Sequence, residues 1–246
     1  MPNPINIFLC FSRSGGTVLN QCLGCLPNVV IMSEVNPLGG GWGKEGENSP
    51  TTIQAQAKEW YGIELQHSSF AESAIELSEK CGHLIIRDWS FANFVPNPTN
   101  QFNPPGRFLT VDALSNVPTH IFAFVRNAAE VYLSIEGVLE PFAYYYRKYA
   151  EYLASMQFKI FKYEDFCENP ELVLKQICDH CEIPYFPVTD SYSKFITVNG
   201  DTQNDKSRGI LQNKIARLPR KAAPNHIEEA IKALNDLNIA DELLGY

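Results

Sequence analysis

Apolar positions along this chain follow two different spacings. Short runs of apolar, largely β-branched and aromatic residues, the mark of buried strands, occur at Ile5–Phe11, Val29–Met32, His83–Ile86, Thr119–Val125 and Phe158–Phe161. Between them, apolar residues recur every three or four positions, the spacing of one helix face. These helical stretches are Val18 to Leu26, Thr51 to Leu65, Phe70 to Lys80, Asn127 to just past Ser134, Phe142 to Met156, Pro170 to Cys181 and Pro224 to Asn238. Asn169 before Pro170 supplies a side-chain acceptor followed by a residue with φ already set for a first helical turn. Strands alternating with helices predict an α/β fold, a three-layer arrangement with a central parallel sheet flanked by helices. No repeat, low-complexity tract or boundary interrupts it, so residues 1–246 are expected to form a single domain.

Three segments lack either spacing. The glycine-rich stretch from Pro37 to Pro50 carries Trp42, the stretch from Asn93 to Gly106 is rich in proline and asparagine, and the stretch from Asn199 to Lys221 is polar and basic. All three are expected to be loops.

Composition narrows the class of protein. A net charge of −8 argues against a nucleic-acid surface, so an anionic ligand would need a local cluster of cations. No apolar run approaches the ~18 residues of a membrane span. The start Met1-Pro2-Asn3-Pro4 lacks the pattern of an export signal, and seven cysteines are an odd number for a disulfide framework. A cytoplasmic protein with reduced thiols and no membrane partner is expected. Cys22/Cys25 and Cys178/Cys181 form two CxxC pairs. They lie far apart on helical stretches, unlike the close pairs of a zinc ribbon, so small buried core residues are expected and no metal.

The chemistry concentrates where the first strand meets the first helix. Ser12-Arg13-Ser14-Gly15-Gly16-Thr17-Val18 joins them with two glycines, the hydroxyls of Ser14 and Thr17 and a fixed positive charge at Arg13. Backbone N–H groups at a helix start have no intrahelical partner and, with the helix dipole, favour an oxyanion; an ordinary tight turn with a helix cap is the plainer alternative. Ligands of open α/β sheets sit beyond the C-terminal strand ends. There the sequence also places Glu34, Arg87, Asp88 and Arg126, giving three arginines and two carboxylates to one crevice. Ser134 follows Arg126 by eight residues, about two helical turns, so the pair is suited to a second anionic group alongside the helix. A nucleoside-triphosphate loop of the form GxxxxGK[ST] is missing, which weakens a kinase or ATPase assignment.

These motifs, in this order, resemble the sulfotransferases that use 3′-phosphoadenosine 5′-phosphosulfate (PAPS). Arg13-Ser14-Gly15-Gly16-Thr17 is similar to the family's first signature, and Arg126-Asn127 with Ser134 to its second. Tyr163-Glu164-Asp165-Phe166 resembles a third segment, and Lys206-Ser207-Arg208-Gly209 the basic loop that closes on the nucleotide. The resemblance implies a P-loop-like fold, the loop from Arg13 to Val18 holding the 5′-phosphosulfate, and Arg13 steadying the bridging oxygen. It further implies Arg126 and Ser134 at the 3′-phosphate with Arg208 and Ser207 as further partners, Gly209 in the cofactor-binding loop beside them, Tyr163 near the adenine, and PAP as product. In-line sulfuryl transfer spreads charge over equatorial oxygens that arginines and amides stabilise, with no metal required.

The acceptor, a small molecule or peptide with a hydroxyl or amine, needs a base. Where cytosolic members of the family carry a histidine, this chain has Arg87-Asp88-Trp89, and the five histidines offer no better candidate. Glu34 stands where other members use a glutamate and is the first choice, with Asp88 second; a structural ion pair to Arg13 or Arg87 is the alternative role for Glu34. Trp42, Trp89, Phe91, Phe94 and the cluster Phe142–Tyr146 offer an aromatic pocket, although such residues also build cores. The competing functions are an ATP-dependent kinase and a nucleotide-binding regulator without catalysis.

Overall fold

The computed structural model describes residues 3–39, 51–95, 104–135, 139–199, 215–217 and 219–246. Five parallel strands form the sheet: β1 (Ile5–Leu9), β2 (Val29–Val35), β3 (His83–Asp88), β4 (Thr119–Val125) and β5 (Lys159–Lys162). Their spatial order is β2-β3-β1-β4-β5. The helices are α1 (Gly16–Gly24), α2 (Ile53–Tyr61), α3 (Phe70–Lys80), α4 (Ser90–Phe94), α5 (Leu109–Ala113), α6 (Ala128–Ile135), α7 (Leu139–Met156), α8 (Tyr163–Glu168), α9 (Pro170–His180), α10 (Asn225–Ala233) and α11 (Asn235–Leu243).

β1 is the central strand and is buried throughout. Because successive side chains point to opposite faces, Ile5, Ile7 and Leu9 enter one core with residues of α2, α3, α7 and α11. Phe8 and Cys10 enter the other, with Leu19 and Leu23 of α1 and Leu174 and Ile177 of α9. Phe8 stacks on Phe122 of the neighbouring strand at 5.1 Å between ring centroids. A strand buried on both faces reads as a nearly continuous apolar run, as parallel sheets require; the polar exception in β1, Asn6, is buried and donates to the Leu84 carbonyl at 3.1 Å. Register places Phe8 beside Arg87 and Leu9 beside Ala123. The chain leaves β1 toward β2 on one side and reaches β4 on the other, so the topological switch point lies at the C-terminal end of β1.

Several boundaries differ from those expected. The helix begun near Thr51 stops at Tyr61 because Gly62 takes a left-handed φ of 65° and donates its N–H to Lys58. The last helical stretch is two helices rather than one. Leu234 is extended between them, which turns Leu237 and Ala240 of α11 into the core. Helix α4 runs into the stretch expected to be a loop at 93–106, covering Asn93 and Phe94, and α5 follows that stretch. Asn169 does cap α9, its side chain accepting the Leu172 N–H at 3.2 Å.

Three of the four CxxC cysteines, Cys22, Cys178 and Cys181, are buried in the core beside α1 and α9, and Cys25 is partly buried and packs against it. Burial pushes the Cys178 thiol up to about 12 and raises those of Cys22 and Cys181 as well. Among the described residues no group of three or more His, Cys, Asp or Glu side chains is arranged to hold a metal. Among them, too, no helix is long and apolar enough to cross a membrane.

Candidate active site for an anionic ligand

β1 ends at Leu9, and the chain turns sharply before α1. The Ser14 N–H bonds back to the Phe11 carbonyl at 3.2 Å. Arg13 has φ of 69° and Gly15 φ of 85°, both left-handed. Backbone that alternates hand in this way turns successive N–H groups toward one side, an anion-binding concavity. Gly15 provides no side-chain cap for α1, so the N–H groups of the first turn remain directed at the cleft. Both glycines are required sterically. A Cβ on Gly15 would overlap the Tyr163 ring, with Cε2 at 2.7 Å, and one on Gly16 would overlap Cys10 Sγ.

Three arginines surround this loop. Arg13 donates from Nε to Ser134 Oγ at 2.9 Å. Arg126 lies with its guanidinium 4.5 Å from the centroid of the Tyr163 ring and donates to the Arg13 carbonyl at 3.3 Å. Arg87 follows from β3 and donates to Glu34 Oε1 at 3.0 Å, the two side chains being 5% and 12% exposed. Glu34 itself has φ of 52°. Such backbone in a non-glycine residue costs about 1–3 kcal/mol and persists where the surroundings fix it. Of the five non-glycine residues with positive φ among those described, Arg13 and Glu34 are the two that line the cleft.

Arg126 and Ser134, expected to face one anionic group together, are brought to the same cleft but by different contacts. Ser134 is held by Arg13, while Arg126 gives Nε and Nη2 to Glu130 Oε2 at 3.0 and 2.8 Å. Glu130 also accepts from Arg217. Burial works to raise its pKa, but the hydrogen bonds from Arg217 and Arg126 outweigh burial and hold the carboxyl below its ordinary value. Sequence reasoning missed Glu130, although its place four residues after Arg126 is the spacing of a helical ion pair. It also missed Arg220 and Lys221 as lining residues, beyond the general basic character of that stretch.

The structure places Asp88 elsewhere. Its side chain does not line the cleft; Asn93 donates to Oδ1 at 2.7 Å and the Thr110 hydroxyl to Oδ2. Burial pushes its pKa up to about 7 despite those hydrogen bonds. Asp88 therefore ties β3 to α4 and α5. Phe94, Phe142 and Tyr146 pack in the core around Phe11 and Tyr149 rather than at the cleft. None of the five histidines lines it. Ser207, Arg208 and Gly209, with Lys206 and Trp42, lie outside the described residues, as does the side chain of Phe91.

The cleft spans about 900 Å³, counting the open solvent at its mouth. Ser12, Arg13, Gly15, Gly16, Thr17 and Val18 form its floor, and Glu34, Arg87, Arg126, Glu130, Ser134 and Tyr163 its walls. Ser14 is buried directly beneath.

No family model and no curated protein sequence matches the chain. Solved structures do. The sulfotransferase domain from the curacin biosynthetic pathway superposes with a TM-score of 0.61 at 15% identity, over 99% of this chain and 98% of that one. The sulfotransferase domain of the Synechococcus PCC 7002 olefin synthase superposes with a TM-score of 0.59 at 18% identity, over 100% and 95%. The fold is that of the sulfotransferases. Within this sulfotransferase fold, the uncapped α1 start, the three arginines and Glu34 meet at the switch point of the sheet, where α/β proteins bind ligands.

Proposed function

We propose that the chain transfers the sulfuryl group of PAPS to a hydroxyl or amine acceptor. The observation that carries this is the convergence of the uncapped α1 N-terminus, Arg13, Arg87 and Arg126 on one cleft with two carboxylates, Glu130 bound to Arg126 and Glu34 at its β2 side. The loop from Arg13 to Val18 receives the 5′-phosphosulfate, and Arg126 with Ser134 receives the 3′-phosphate beside Tyr163. Arg208 and Ser207 would be further partners of the 3′-phosphate, with Gly209 in the same loop over the nucleotide.

In the reaction, Glu34 takes the proton from the acceptor as its oxygen or nitrogen bonds to sulfur. The bond from sulfur to the bridging oxygen breaks, and that oxygen departs with PAP as part of its 5′-phosphate. Arg13 and the α1 amides stabilise the charge that grows on this oxygen, which needs donors already in place rather than a bound cation. Glu34 has the better position for the base because it lines the cleft, whereas both Asp88 oxygens are engaged by Asn93 and Thr110.

Calorimetric titration with PAP in EDTA tests the donor site: saturable heat is expected, and its absence refutes the proposal. Glu34→Gln tests the base. With a panel of phenolic, alcohol and amine acceptors, it is expected to cut turnover at least ~100-fold, the usual worth of a general base, with PAP affinity within threefold of wild type. Unchanged turnover would remove Glu34 from the mechanism.

A further inference from the structure

Two helices begin at the cleft, and they begin differently. The first turn of α1 has no side-chain cap. That of α6 is closed by carboxylates from distant parts of the chain. Asp241 of α11 accepts the Ala128 N–H at 2.9 Å and the Asn127 side-chain amide at 2.7 Å. Glu164, at the start of α8, accepts the Asn127 N–H at 3.3 Å and the Tyr246 hydroxyl at 2.5 Å. The Asn127 side-chain oxygen in turn accepts the Glu130 N–H at 3.3 Å. The protein's own anions thus occupy the α6 start, and an incoming anion is directed to α1.

We infer that Asp241 is a positioning residue for the 3′-phosphate half of the cleft, holding α6 so that Arg126 and Ser134 keep their places; this rests on the PAPS reading above. α6 has only eight residues, too few to be stable without tertiary support. Ala128 is fully buried, so its N–H has no solvent to turn to. Without Asp241 it is an unsatisfied buried donor, and the helix start shifts to find another partner. Arg126 stands two residues before Ala128, with its carbonyl held by the Tyr146 hydroxyl at 2.6 Å. Ser134, near the other end of α6, is the partner of Arg13. A shift of α6 therefore displaces both groups at once, and displacements near 1 Å are enough to cost ~100-fold at a positioned site.

The readout is the preference for the 3′-phosphate: the Kd of 5′-AMP divided by the Kd of PAP, measured by calorimetry well below the unfolding temperature. In wild type this ratio is expected to exceed one. Asp241→Ala should lower it about tenfold through PAP alone, 5′-AMP binding being kept, and Asp241→Asn, which retains an acceptor for Ala128, should recover part of it. Asn127→Ala removes one of the two contacts, leaves Asp241 in place, and should lower the ratio if Asp241→Ala fails to fold. A wild-type ratio in whichever variant folds overturns the inference, since a purely structural role moves the melting temperature and not the ratio. A wild-type protein that does not prefer PAP would instead overturn the functional reading.

Discussion

Gly16 offers a sharp test of how the loop is packed. An alanine there gains helix propensity, worth at most ~1 kcal/mol. Its methyl, however, would overlap Cys10 Sγ and stand 3.0 Å from Arg87 Nη2. Both neighbours are fixed: Cys10 is buried, and Arg87 is bonded to Glu34. Overpacking of this kind costs about 1–3 kcal/mol, so Gly16→Ala should be net destabilising by ~1–2 kcal/mol. Cys10→Ala should cost ~1–2 kcal/mol through the small cavity it leaves. Together they should cost no more than Cys10→Ala alone, because the new methyl occupies the vacated space. The coupling should be ~1–3 kcal/mol in favour of the double variant. Urea unfolding at 25 °C, with m-values unchanged, measures it. PAP titration should run in parallel, with affinity lost in Gly16→Ala and mostly regained in the double variant. Additivity within ~0.5 kcal/mol would show that Cys10 does not set the space beneath the loop.

Two further outcomes follow from buried charges. Asp88 has its pKa raised from 3.8 to about 7, so the folded state holds a proton that the unfolded chain has released; the associated stability is complete below 3.8 and is lost as pH rises to about 7, at up to ~1.4 kcal/mol per pH unit. Urea midpoints between pH 4 and pH 8 should show Asp88→Asn, which mimics the protonated form, losing this slope; a constant gap from wild type across the range would rule the assignment out. Arg126→Lys replaces a planar fork with a point charge that can neither bond Glu130 through two nitrogens nor lie flat on Tyr163; PAP affinity should fall ~10-fold or more while 5′-AMP affinity changes little, and equal losses for both would assign Arg126 to the fold instead.

The layers of the fold were legible because parallel strands buried on both faces appear as nearly continuous apolar runs, as Ile5–Phe11 does apart from Asn6, and Asn169-Pro170 announces a helix start in two residues. The breaks at Gly62 and Leu234 were harder. A lone glycine does not reveal its φ, and Leu234 continues an apolar pattern that tertiary packing interrupts. At the site, Arg13, Glu34, Arg126 and Ser134 were readable from strand ends and spacing. Asp88 sits at a strand end too, but the partners that turn it inward, Asn93 and Thr110, carry no sequence signal. Asp241 was invisible for a related reason: its partners Asn127 and Ala128 are more than 110 residues away, and only the folded chain joins them.

The bonds of Arg13 have a consequence for the order in which ligands act. Its side chain reaches Ser134 and its carbonyl receives Arg126, so the loop at the α1 start and the helix along the other half of the cleft share one residue. An anion that draws the Arg13 side chain toward sulfate must alter the hold on Ser134. An anion that pulls on Arg126 must alter the Arg13 backbone. The two halves are then thermodynamically linked: whatever factor a 3′-phosphate applies to affinity for the 5′-group, the 5′-group applies to the 3′-phosphate. The affinity of a ligand that spans both halves is then not set by its two ends taken separately.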